Sequence, residues 1–142
     1  MTLDARDAAE LPLDALLEAF ATTVEPIEGG VRLAMQRTDV TVGGVRDSLN
    51  GGVLAAFVEL AGHLAFRAVL DAGVRIERTQ ELGLSFLSSA RSPDTIAEAR
   101  VLRAGGRLAV AAVEVRDGET GDLNVAGRVT CVLARPSRER AS

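Results

Sequence analysis

Leu13, Leu16, Leu17 and Phe20 recur at helical spacing, so residues 12–22 read as a short amphipathic helix. The period then drops to two. Val31, Leu33 and Met35 alternate with Arg32, Ala34 and Gln36, and Glu28-Gly29-Gly30 supplies the turn of a hairpin. Residues 40–50, VTVGGVRDSLN, are rich in Gly, Asp, Ser and Asn and read as a loop. From 51 to about 71 the chain is mostly Ala, Leu, Val and Phe, with no Pro and no strict alternation. A run of about 20 residues, or roughly 30 Å at 1.5 Å per residue, fits a helix better than a strand. Its polar members Glu59, His63, Arg67 and Asp71 fall four apart and form one stripe on an otherwise apolar cylinder. Such a helix must be wrapped by something.

The wrapping lies downstream. Leu82, Leu84 and Phe86 alternate with Glu81, Gly83 and Ser85, and Ala97, Ala99 and Val101 alternate with Glu98 and Arg100. Residues 107–116 and 123–134 are two further strands, joined through Ser92-Pro93-Asp94, Gly105-Gly106 and Asp117-Gly118. The order is helix, two strands, long helix, four strands: an α+β fold with one helix against a largely antiparallel sheet. The 142 residues suit one domain spanning 1–142 with a core of 24–134. The first ten residues and 136–142 are polar and expected to be loose ends.

Composition narrows the chemistry. There is no Lys, Tyr or Trp, a single His (His63) and a single Cys (Cys131). Without lysine there is no Schiff-base enzyme, P-loop NTPase or kinase-type phosphate lysine. One His and one Cys do not build the usual structural zinc site, and no disulfide closes within the chain, which fits a reducing compartment. No G-x-S-x-G elbow seats a catalytic serine. The net charge of −4 and the presence of only four aromatics, all Phe, argue against a nucleic-acid partner. The most apolar stretch, 53–70, carries Glu59, His63 and Arg67, so no membrane span is expected. The N-terminus has acids where a signal peptide wants positive charge, and the expected location is cytoplasmic.

Two features of the long helix carry chemistry. It opens on Asn50-Gly51-Gly52, where backbone amides lack partners beside the positive end of the dipole and glycines admit a ligand oxygen. Such a start can hold an oxyanion, or Asn50 can simply cap the helix. Glu59 lies two turns in, between Val58 and Leu60. A partly desolvated carboxylate there is a stronger base, whereas an exposed stripe of Glu59–His63 and Arg67–Asp71 pairs has no catalytic duty. Cys131 in an apolar strand reads as a small core residue. Arg103 and Arg107, flanking Gly105-Gly106, suit bidentate phosphate binding if they are not merely solvated.

Residues 49–66, LNGGVLAAFVELAGHLAF, resemble the helix signature of hotdog-fold acyl-CoA thioesterases of the PaaI-like type. In that family a His-Gly-Gly opens the central helix and an acid follows nine positions after the His; Glu59 stands nine after Asn50. TQELGLSFLSSAR resembles the third strand, and RVLRAGGRLAVAAVEVRD with VAGRVTCVL the closing strands, so the likeness covers 24–134. The resemblance implies a hotdog fold that hydrolyses an acyl-CoA thioester without a cofactor. The amide of Gly51 or Gly52 would receive the thioester oxygen, and Glu59 would attack the carbonyl or activate a water. Thr79, at the start of the third strand, would position that water, and His63 stands where some relatives place a water-positioning hydroxyl. Asn50 replaces the family's helix-opening His, Gly44 its Asn or Gln, and Ser88 a basic residue, with Arg91 nearby. CoA phosphates are expected near Arg91, Arg103, Gly106 or Arg107. The rival reading is a non-catalytic hotdog protein that binds an acyl ligand or serves as a structural dimer. A hotdog dehydratase comes third, because the opening position holds Asn50.

Geometry adds one expectation. Gly51 and Glu59 are about 12 Å apart along one helix axis, too far to serve one carbonyl. A shared site then needs two chains: a homodimer, or a dimer of dimers given the long apolar strands.

Overall fold

The computed structural model describes residues 11–39, 41–43 and 48–136. Two helices, α1 (Leu13–Ala19) and α2 (Gly51–Val69), accompany six strands: β1 (Thr22–Ile27), β2 (Gly30–Gln36), β3 (Arg75–Phe86), β4 (Asp94–Ala104), β5 (Leu108–Asp117) and β6 (Leu123–Ala134). The strands form one antiparallel sheet in the order β1-β2-β4-β5-β6-β3, and α2 lies across its concave face. This is the helix-in-sheet arrangement of a hotdog.

Alternation decides which side chains meet the helix. Ala97 and Ala99 on β4, Ala109, Ala111, Val113 and Val115 on β5, and Val125 and Val129 on β6 are buried on that face. Small residues on the central strands leave volume for Phe57 and Phe66, both fully buried on α2. Two glycines set how closely α2 sits on β6. A Cβ at Gly62 would come within 2.8 Å of Val129, and one at Gly127 would come equally near Val58. Either side chain would push the helix off the sheet. By length and composition α2 is apolar enough to cross a membrane, but half of its most apolar window is buried inside the fold, which accounts for its composition.

Three boundaries move from their sequence positions. The first helix stops at Ala19 instead of reaching 22, because Ala21 turns left-handed (φ 44°) and Thr22 begins β1. The central helix stops at Val69, where Leu70 becomes extended, so Asp71 lies past the end of the polar stripe. The third strand begins at Arg75, well before the regular alternation at Leu82. Its first half carries two bulges, one between Ile76 and Arg78 and one between Thr79 and Glu81. Each leaves one extra residue unopposed. Counted through them, Ile76, Thr79, Leu82, Leu84 and Phe86 pair with Leu133, Cys131, Val129, Gly127 and Val125, the residues of β6 that share the helix face.

Candidate active site

The start of α2 is tied down from both sides. Leu49 N–H donates to the Ala90 carbonyl (2.9 Å) and Asn50 N–H to that of Thr41 (3.0 Å). Asn50, extended at φ −61° and ψ 135°, accepts the Gly52 amide on its Oδ1 at 2.7 Å, so it caps the helix. That bond separates the two glycines. The Gly52 amide is engaged, whereas no partner appears among the described residues for the exposed Gly51 amide. A Cβ at Gly51 would meet only the edge of the Phe86 ring, at 3.8 Å. Beside it opens a cavity of about 310 Å³ lined by Leu54, Phe86 and the 87–90 segment.

Asn124, which alternation alone did not single out, supports that wall. Its carbonyl accepts Leu87 N–H at 2.8 Å, and its buried amide nitrogen donates to Ser88 Oγ at 3.1 Å. Ser88 in turn donates to the Leu123 carbonyl at 2.8 Å. Ser88, at the place where relatives carry a basic residue, thus serves as a loop pin. Gly44 lies outside the described residues.

Beyond the second turn of α2, residues from three elements converge. Glu59 is half-buried and His63 almost wholly buried, so the exposed-stripe alternative fails at His63. The stripe faces β3, because His63 Nε2 lies 2.7 Å from Thr79 Oγ1 and 3.4 Å from Cys131 Sγ. Thr79 Oγ1 and Cys131 Sγ are 3.8 Å apart. Burial pushes the Cys131 thiol up to about 11, against the Thr79 hydrogen bond and with help from the Glu59 carboxylate. His63 and Thr79, drawn separately from the sequence, therefore border one thiol that also feels the Glu59 charge, and Cys131 joins them rather than being inert filling. The thiol stays protonated at neutral pH and inaccessible. Cys131 is accordingly expected to resist iodoacetamide at pH 8 in the native protein and to label fully in denaturant, as intact mass will show.

The phosphate candidates divide. Arg91 sits at the helix-opening end, its carbonyl accepting from Arg37 Nη1 at 2.7 Å. Arg103, Gly106 and Arg107 stand at the β4–β5 hairpin, roughly 30 Å away along β4 at about 3.3 Å per residue. No single phosphate within one chain is served by both ends. At the hairpin, cavities of about 290 and 330 Å³ share Arg107 and Leu108, and Arg78 lines the second. Arg135 buttresses the turn through Gly105 O (2.7 Å) and Gly106 O (3.0 Å). Sequence spacing missed Arg78 and Arg135 because neither is near the hairpin along the chain.

Comparison with known proteins agrees with this fold. The family model of the thioesterase superfamily matches residues 47–123, more than half of the chain. A Halobacterium salinarum protein provisionally named an esterase is 32% identical over 121 residues, covering 79% of this chain and 80% of its own. A Ralstonia eutropha protein provisionally named a thioesterase, and described as phenylacetic acid degradation-related, superposes with a TM-score of 0.72 at 23% identity, over 89% of this chain and 94% of its own. A Bacillus halodurans protein solved with CoA gives a TM-score of 0.74 at 16% identity, over 85% and 79%. Both solved structures share the hotdog fold.

Proposed function

The chain belongs to the thioesterase superfamily, and on that premise we propose that it hydrolyses an acyl-CoA thioester to the free acid and CoA. One observation carries the reading: α2 opens on a Gly51 amide with no partner among the described residues and carries the half-buried Glu59 carboxylate two turns on, one turn before the His63 that meets the Thr79 hydroxyl. The CoA held by the Bacillus halodurans neighbour supports this choice of thioester.

In this reading the Gly51 N–H receives the carbonyl oxygen as it gains negative charge. A water oxygen adds to the carbonyl carbon while Glu59 takes its proton; the C–S bond then breaks and the thiolate leaves with that proton. In the covalent variant the Glu59 carboxylate adds first, the C–S bond breaks to expel the CoA thiolate, and water then splits the acyl–Glu59 anhydride into the free acid and the restored carboxylate, its second proton balancing the thiolate. Both variants begin with Glu59 at the carbonyl.

Since Gly51 and Glu59 are about 12 Å apart along α2, the two groups at one thioester belong to two copies of the chain. The sheet ends on β3, which no strand covers among the described residues, and α2 reaches that edge through His63 and Thr79. A two-fold axis there sets two α2 helices antiparallel, so each Gly51 approaches the other copy's Glu59. CoA bound this way leaves Glu59 across the β3 edge toward Arg78 and Arg107, two side chains on one cavity wall. Arg78→Glu and Arg107→Glu are each expected to raise KM about fivefold with kcat unchanged, the worth of roughly 1 kcal/mol of exposed ion pairing. Arg91→Glu should leave KM where it was. The reading itself is tested by thiol release from short, long and aromatic acyl-CoAs. Hydrolysis of none of them would leave a ligand-binding hotdog protein.

A further inference from the structure

His63 is the chain's single imidazole, is buried, and spends Nε2 on a hydroxyl from β3 and a thiol from β6. A side chain placed only for packing would not need both. The hydroxyl of Thr79 has one proton and two lone pairs, and what it offers the groove depends on where that proton points. The contact of 2.7 Å to His63 Nε2 is a full hydrogen bond, while that to Cys131 at 3.8 Å is weak. The Cys131 thiol, a weak donor as well as a weak acceptor, is able to donate to an unprotonated Nε2 over the longer contact. An unprotonated Nε2 that accepts from Thr79 at close range and from Cys131 at longer range satisfies both contacts.

We propose that His63 is a positioning residue that draws the Thr79 proton inward, leaving the Thr79 oxygen as a pure acceptor for the hydrolytic water beside Glu59. The proposal rests on the thioesterase reading of Glu59 and adds the device that orients the water. A water with one hydrogen on Thr79 Oγ1 and the other on Glu59 presents its oxygen lone pair to the carbonyl. A Thr79 hydroxyl free to rotate would compete for that lone pair as a donor. His63 touches neither substrate nor water and acts only through Thr79.

The test has a spectroscopic and a kinetic arm. With one histidine in the chain, its imidazole nitrogens are assigned without ambiguity in ¹⁵N spectra. Nε2 is expected to resonate as an unprotonated, hydrogen-bonded nitrogen and to shift in Thr79→Val. A protonated Nε2 at the pH of maximal activity overturns the proposal, whether or not any variant folds. Kinetically, His63→Phe and Thr79→Val should each lower kcat by about ten- to a hundredfold with KM within twofold, the scale of a misplaced reactant. The double variant should be no slower than the slower single one, because the two side chains act as a unit. His63→Gln, whose amide oxygen can accept at the Nε2 position, should recover most of the rate. Additive losses, or full activity in His63→Phe, overturn the proposal. If Glu59→Gln is inactive while His63→Phe matches wild type, only the positioning role falls; if wild type hydrolyses nothing, the thioesterase reading falls and this role with it.

Discussion

Glu59→Gln is expected to lower kcat for acyl-CoA hydrolysis by roughly 10² to 10⁴, the usual contribution of an acid–base group, and further if the carboxylate adds to the carbonyl itself. The substitution keeps volume and hydrogen bonding at a half-buried position and removes only basicity and nucleophilicity. KM should move little, since Glu59 lies on the helix and the basic corner holding Arg78 and Arg107 is elsewhere. Equal rates in the two proteins would sink the mechanism. Thermal unfolding separates chemistry from folding: the variant should melt within a few degrees of wild type, because the replacement is isosteric at a half-buried position.

Gly51→Pro should cost about 10² to 10³ in kcat while leaving the fold intact, which isolates the proposed oxyanion donor. Proline removes one N–H and nothing else of consequence there. It is favoured at the first position of a helix, and Asn50 already has the extended backbone that a residue before proline adopts. The nearest obstacle to a side chain is the rim of Phe86 at 3.8 Å. Gly51→Ala retains the amide and is the control, expected near wild-type activity. Mixing the Glu59→Gln and Gly51→Pro proteins under conditions of subunit exchange tests the two-chain site. Each mixed dimer then holds one site with both groups intact, so activity should return to about a quarter of wild type, since half of randomly paired dimers are mixed. No recovery after proven exchange would place both groups of a site on one chain.

The long helix was legible in the sequence because a run of about twenty mostly apolar residues with a regular polar stripe has the length and period of a buried helix. The four later strands were legible from their alternation. Thr79 was not. Running the alternation of Leu82, Leu84 and Phe86 backward puts residues 78 and 80 toward the helix and Thr79 away from it, and only the unopposed residues of β3 reverse this. Because the family resemblance supplied Thr79 as a candidate but not its orientation, its bond to His63 was invisible. Cys131 was assigned to the core correctly, but a one-dimensional pattern does not say that a histidine sixty-eight positions earlier lies against it. At the helix start the sequence left capping and oxyanion binding as competitors. The structure gives the Gly52 amide to the cap and shows no partner for the Gly51 amide among the described residues, so the two readings no longer exclude each other.

The irregular half of β3 also bears on how association stops. A straight uncovered strand is a template on which copies stack without limit, the route to fibrils. Here residues 76–80 carry two interruptions that bend the backbone out of an even ladder, and only 81–86 keep a sustained unbroken register. Two copies meeting about a two-fold through that short stretch would consume it and present bent backbone on either flank. The opposite margin of the sheet, β1, carries Pro26, a residue that sheets confine to their edges. The distortions that turn Thr79 inward thus also ration the backbone open to polymerisation, and a variant lacking Glu77 and Gln80 would be the one to watch for aggregation.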